Sequence, residues 1–120
     1  MKITQHTVGD VTVIVPVGRI VTEDGDVLRN VVDTLVQQGR VKIVLDLQDV
    51  TYIDSSGLGL MVSKYVSARR RDGDVKLLHP SARSIHLLEI THLAQVFDVF
   101  ESEDDAVRAF GSSSFQAHTV

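Results

Sequence analysis

Tyr52-Ile53-Asp54-Ser55-Ser56-Gly57-Leu58-Gly59-Leu60 is the segment whose residue types and spacing could do chemistry. It follows a strand-like run, VKIVLDL (41–47), and opens a helical pattern. A polar loop after a buried strand emerges at the rim of a sheet, where α/β proteins build their sites. Asp54, Ser55 or Ser56 would sit at the helix N-cap. There the unpaired N–H groups and the positive end of the helix dipole converge. A hydroxyl at that spot can accept a phosphoryl group, the product being partly stabilised by those donors. The added charge of about −1.5 to −2 then remakes the local surface. The same triplet also reads as a plain N-cap, its side chain satisfying a backbone N–H and nothing more.

Other chemistries find little support. The chain has no cysteine, which leaves no disulfide, thiolate metal ligand or cysteine nucleophile. Its histidines (His6, His79, His86, His92, His118) show no H-E-x-x-H spacing, so no metal is expected. There is no G-x-S-x-G elbow and no G-x-x-x-x-G-K-[ST] loop, so neither a hydrolase nor a phosphate-loop cofactor site is expected. Arg69-Arg70-Arg71 could hold phosphate, but cations in the last turn of a helix also complement its dipole. The acidic stretch Glu101 to Asp105 reads as a solvated helix start. With 12 basic and 16 acidic residues the net charge is −4, which gives no reason to expect nucleic-acid binding. MKITQHTVGD lacks the apolar core of a secretory signal, and no run reaches the roughly 18 apolar residues of a membrane span. The expectation is a protein of the reducing cytoplasm with no membrane contact.

The elements that must position the segment alternate along the chain. At 120 residues and 43% hydrophobic content, one globular domain is expected. Lys2 to Val8 reads as a strand, Gly9-Asp10 as a hairpin turn, and Val11, Val13, Val15 and Val17 as a second strand ended by Gly18. Pro16 cannot donate to a ladder and marks an edge or bulge. Gly25 to Gln38 carries Val27, Leu28, Val31, Val32, Leu35 and Val36 on one helical face, with Asp24 and Asp26 at its start and Gly39 past its end. Val41 to Leu47 is a central strand, and Gln48 to Asp54 a loop. A second helix, about Ser56 to Arg71, has Leu58, Met61, Val62, Tyr65 and Val66 as its stripe; Leu60 reads either as a further core residue or as an outward one that meets a partner. A strand at Val75 to Leu78, a helix capped by Ser81, a short strand within Gln95 to Phe100 and a helix opened by Ser102 complete the pattern. Strands and helices in alternation argue for a mostly parallel sheet with crossover helices.

The run LDLQDVTYIDSSGLGLMVSKY (45–65) resembles the signature of the STAS domain family, specifically the bacterial anti-sigma factor antagonists. VIVPVGRI (13–20), GRIVTEDGDVLRNVVDTLVQQG (18–39) and the stretch from Gly73 to Phe110 resemble the family in register. The resemblance implies an α/β fold: a single STAS domain over 1–110, with a four- to five-stranded mixed sheet, the main helices on one face, and a flexible tail at 111–120. It implies a regulatory binder, not an enzyme. The unphosphorylated form would bind an anti-sigma factor of the GHKL serine-kinase type and free a sigma factor, and a PP2C-type phosphatase would reset the switch. Ser55 would be the acceptor, with Ser56 as the alternative and as a helper in capping. Asp54 would orient the loop or touch the kinase, and Gly57 would let a partner approach. Family members often carry an aspartate after the second-strand glycine. Here Val21 stands there, and Thr22, Glu23 or Asp24 would substitute. A homodimer is a further association to consider. The rival reading is a scaffold subunit of a larger signalling or transport complex that needs no phosphorylation.

Overall fold

A computed structural model describes the backbone of residues 1–119 and the side chains of residues 1–111. Ten elements follow one another: β1 (Lys2–Val8), β2 (Val11–Ile20), α1 (Gly25–Gln37), β3 (Lys42–Asp46), β4 (Val50–Ile53), α2 (Ser55–Arg69), β5 (Asp74–Leu78), α3 (Ala82–Ile90), β6 (Val99–Phe100) and α4 (Glu103–Thr119). The expected flexible tail falls on side chains that, from residue 112 onward, lie outside the described residues.

The strands form one mixed sheet in the order β1-β2-β3-β5-β6, with β4 joined to β2. Only the β1–β2 hairpin is antiparallel; every other pair is parallel. The sixth strand is the segment read from sequence as loop. β4 is only four residues long, and its two middle residues face solvent. That leaves little hydrophobic alternation to see.

β2 makes this possible by changing partners. Val11 to Ile14 pair with β3, and after a register shift at Gly18/Arg19 the strand pairs with β4 up to Ile20. Gly18 therefore does not end the strand. It pairs with Val50 just before the shift, which leaves Thr51 of β4 as the extra residue, and its φ of 118° is a conformation that favours glycine. Pro16 is not on an edge strand either. It is buried between β1 and the gap, residues 15–17, that neither β3 nor β4 pairs, so a missing N–H is tolerated there.

Helices cover both faces of the sheet. On one face Leu28, Val32 and Leu35 of α1, Leu58 and Met61 of α2 and Leu88 of α3 pack on Ile14, Ile43, Leu45, Val75 and Leu77. On the other, Ala106 and Phe110 of α4 pack on Val11, Val13, Val44 and Leu78. The expectation of main helices on one face holds for α1, α2 and α3, while α4 closes the reverse side. Burial from both sides is why β3 carries the unbroken apolar run Ile43-Val44-Leu45 instead of an alternating one.

One charge lies under α4. Lys76 is 5% exposed, and its Nζ donates to Asp74 at 3.0 Å and Asp98 at 2.9 Å. It also sits 4.8 Å from the centre of the Phe110 ring. Burial alone would lower the ammonium pKa, but the bonds to Asp98 and Asp74 outweigh it and hold it above the usual lysine value. A raised pKa makes this contribution fully present at neutral pH and lost only as pH climbs through that alkaline value.

Candidate functional site at the carboxyl rim of the sheet

Parallel strands send their following loops to one rim. The β2–α1 loop and the β4–α2 junction therefore meet beyond the carboxyl ends of β2 and β4, while the β3–β4 turn lies further back, level with Gly18. The join is backbone-built. The Asp54 N–H donates to the Ile20 carbonyl at 3.3 Å, and the Gly18 N–H donates to the Asp49 carbonyl at 3.1 Å.

α2 begins at Ser55, with Asp54 as its N-cap in extended conformation. The Asp54 carboxylate accepts the Gly57 N–H at 2.7 Å. The cap is thus Asp54, and Ser56 takes no part in it. With capping assigned to Asp54, Ser55 and Ser56 occupy the first two helical positions. Both are exposed, and neither hydroxyl is hydrogen-bonded among the described residues. Their backbone N–H groups belong to the first turn, which has no intrahelical acceptors.

Gly57 has a different role from the one its sequence position suggests. It is buried, and a Cβ built on it would lie 1.9 Å from the Ile20 carbonyl oxygen. The close approach it permits is of α2 to the end of β2, inside this chain, and not of a partner. Gly59, one turn beyond Ser55, is exposed with nothing within 4 Å of a built Cβ. Leu60 is likewise taken off the surface. It is 7% exposed, with its Cδ2 only 3.2 Å from a Cβ built on Gly25, so it packs α2 against the start of α1.

The β2–α1 loop leaves Ile20 beside this junction. Val21 is 5% exposed and belongs to the interior. Thr22 and Glu23 are exposed, and Asp24 is half-buried. Asp24 is the N-cap residue of α1, yet its side chain makes no cap hydrogen bond. Its carboxylate is unengaged at the same rim as Ser55. The structure therefore brings Thr22, Asp24, Asp54, Ser55 and Ser56 together, and buries Gly57 and Leu60 beneath them.

The sequence reading placed Tyr52 in the motif but assigned no role to it or to Arg19. They are register partners on β4 and β2, and Tyr52 is 45% exposed two residues before Asp54. An aromatic residue left this open beside the serines is surface suited to contact. The signal was the outward position of Tyr52 in a four-residue strand, legible only once the strand itself is recognised. Among the described residues no cluster of His, Cys, Asp or Glu could hold a metal, and no helix is long and apolar enough to cross a membrane.

Comparison with known proteins gives a consistent outcome. The profile of the STAS domain matches residues 2–106. The anti-sigma-B factor antagonist of Bacillus subtilis is 33% identical over 91 residues, 76% of this chain and 83% of that protein. The protein of the same name from Staphylococcus aureus is 34% identical over 77 residues, 64% of this chain and 71% of its own. The crystal structure of an anti-sigma factor antagonist from Mycobacterium paratuberculosis superimposes with a TM-score of 0.80 at 20% identity, covering 90% of this chain and 92% of that one, a likeness of fold.

Proposed function

The chain belongs to the STAS domain family, and from that premise we propose that it is an anti-sigma factor antagonist switched by phosphorylation at Ser55. Unphosphorylated, it binds an anti-sigma factor that is itself a serine kinase of the GHKL type, and so frees a sigma factor. A phosphoryl group on Ser55 ends that complex, and a PP2C-type phosphatase restores it. The role is regulatory binding in the cytoplasm, without catalysis by this chain.

The observation that carries this reading is the state of Ser55. Its hydroxyl is exposed, unbonded, and set in the first turn of α2 behind a cap supplied by another residue. Modification therefore removes nothing that holds the fold together. A dianion near a helix N-terminus is favoured by the dipole, by about 0.3–1 kcal/mol at an exposed site. The fold stays as it is while the surface changes from neutral to strongly anionic. Asp24 and Thr22 supply the polar contacts of the adjacent loop, in place of the carboxylate that Val21 does not provide.

The test is a phosphorylation assay with an anti-sigma factor kinase purified from the same organism and ATP. Intact-mass spectrometry should show one added phosphoryl group, and fragmentation should place it on Ser55. Ser55→Ala should block incorporation, whereas Ser56→Ala should retain it. Incorporation at Ser56, or none at all, refutes the assignment.

A further inference from the structure

The sheet has two edges, and they are built differently. One is β6, only two residues long. The other is β1, which runs seven residues from Lys2 to Val8. Natural sheets blunt an edge with a short strand, a bulge, a proline or charges. β6 shows the first of these devices. β1 pairs with β2 in unbroken register, contains no proline, and carries its lysine only at its first residue. Every residue of β1 is exposed except Ile3, which is half-buried.

The free groups of β1 follow from its hairpin. The two-residue turn makes Val8 and Val11 a hydrogen-bonded pair, and alternation does the same for His6, Thr4 and Lys2. The N–H and C=O groups of Ile3, Gln5 and Thr7 therefore point away from β2, to the side where no strand follows. α1 flanks this edge. A cleft of about 310 Å³ lies between them, with Gln5, Asn30, Thr34 and Gln38 in its lining. These four are exposed and uncharged. Amides both donate and accept, so such a surface is complementary to itself.

The charges of the hairpin select what can pair with it. Lys2 is exposed at the start of β1 and has no ion pair among the described residues. Asp10 lies just past the end of β1, and its side chain is 74% exposed although it accepts from Lys42 at 2.7 Å. A second β1 laid antiparallel about Gln5 sets Lys2 of one copy opposite Val8 of the other, one diagonal step from Asp10 and within reach of a long side chain. A parallel alignment would set Lys2 beside Lys2.

We propose that two copies of this chain dimerise through β1, antiparallel, with the two-fold axis at Gln5. Ile3 of each copy pairs with Thr7 of the other and Gln5 with Gln5, each pair exchanging both backbone bonds. Thr4 falls opposite His6, and no like charges stand directly opposite. The second Gln5 comes to the mouth of the cleft beside α1. The contact is isologous, so assembly closes at the dimer, with one sheet running through both copies. It uses none of Thr22, Asp24, Asp54 and Ser55, so it and the phosphorylation reading stand or fall separately.

Sedimentation velocity on the purified full chain tests this over a concentration series up to about 1 mM. The mean mass should rise from 13.2 kDa to twice that value and stop there. Gln5→Pro deletes the outward N–H at the axis and leaves the ladder to β2 complete, at a place where an edge strand tolerates proline. One bond is lost from each copy, so Kd should rise about 30-fold or more. Gln5→Lys sets two ammonium groups across the axis and should raise Kd about fivefold, and Gln5→Glu does the same with carboxylates. An equal mixture of the Lys and Glu forms should dimerise again, which a contact elsewhere on the surface does not predict. Circular dichroism checks the fold of each variant, and the two charge variants decide if Gln5→Pro does not fold. A wild-type chain that stays monomeric to about 1 mM overturns the proposal. So does a mass that climbs past the dimer, or dimerisation unchanged in both Gln5→Lys and Gln5→Glu.

Discussion

Ser55→Asp is expected to weaken binding to the anti-sigma factor by about 30-fold or more. A charge placed in a docked interface opposite groups that do not pair with it costs about 2–5 kcal/mol, which is about 30- to 4000-fold in Kd. Aspartate carries a single negative charge where phosphoserine carries about −1.5 to −2, so the variant sets a lower limit to the effect of modification. Ser55→Ala removes a hydroxyl that has no partner among the described residues and should bind within about threefold of wild type, well under 1 kcal/mol. Titration calorimetry against the purified partner separates the three forms. Because an acid in the first turn suits the helix dipole, Ser55→Asp should melt no lower than wild type. An Asp form that binds as tightly as wild type would sink the switch reading.

Gly57→Ala is expected to be the most damaging single-methyl change at this rim. Its Cβ would stand 1.9 Å from the Ile20 carbonyl oxygen and 2.7 Å from the carbonyl carbon. Both are backbone atoms of β2 where it pairs with β4, so no side chain can swing away to make room. Overpacking of this kind costs about 1–3 kcal/mol and sometimes more, and with backbone as the obstacle about 3 kcal/mol or more is expected. For a domain near this size that corresponds to a fall in melting temperature of about 10 °C or more. Total stability is typically about 5–15 kcal/mol, so the loss is a large share of it. Gly59→Ala, two residues on, is the control. Nothing lies within 4 Å of its Cβ, and alanine is favoured over glycine in a helix by about 1 kcal/mol. It should melt at or above wild type. Equal melting of Gly57→Ala and wild type would refute the packing argument.

Those two glycines show where the sequence was legible. Both stand in one short motif, and no local pattern distinguishes the one that touches β2 from the one that touches nothing. The difference comes from a strand more than thirty residues earlier. Elements with strong periodicity were readable: the face of α1 that holds Leu28, Val32, Leu35 and Val36 is buried as expected, although Val27, expected on it, is 41% exposed, and Ser81 caps α3 by accepting the Ser84 N–H at 3.0 Å. β4 was not readable, because pairing with the far end of β2 depends on the register shift after Gly18 and leaves Thr51 and Tyr52 outward. The placement of α4 was not readable either. The apolar residues of β2, β3 and β5 show that both sides of the sheet are covered, but not which helix crosses to the second. At the site, Asp54 and Ser55 stand where the motif puts them, on a helix N-terminus at the sheet rim. Leu60 does not, because α1 begins close enough to bury it.

β4 has a consequence for how a kinase could reach the serine. It is a thin attachment, paired with β2 alone at three positions, whereas β3 lies between two strands along its length. Elements held by few neighbours open locally at a fraction of the free energy of global unfolding. The amides of Val50 to Ile53 should therefore exchange with deuterium well before those of β3 and β5. An opening of that kind would lift Tyr52, Asp54 and Ser55 away from Ile20 together, and carry the hydroxyl outward on a short tether while the layers around β3 remain closed.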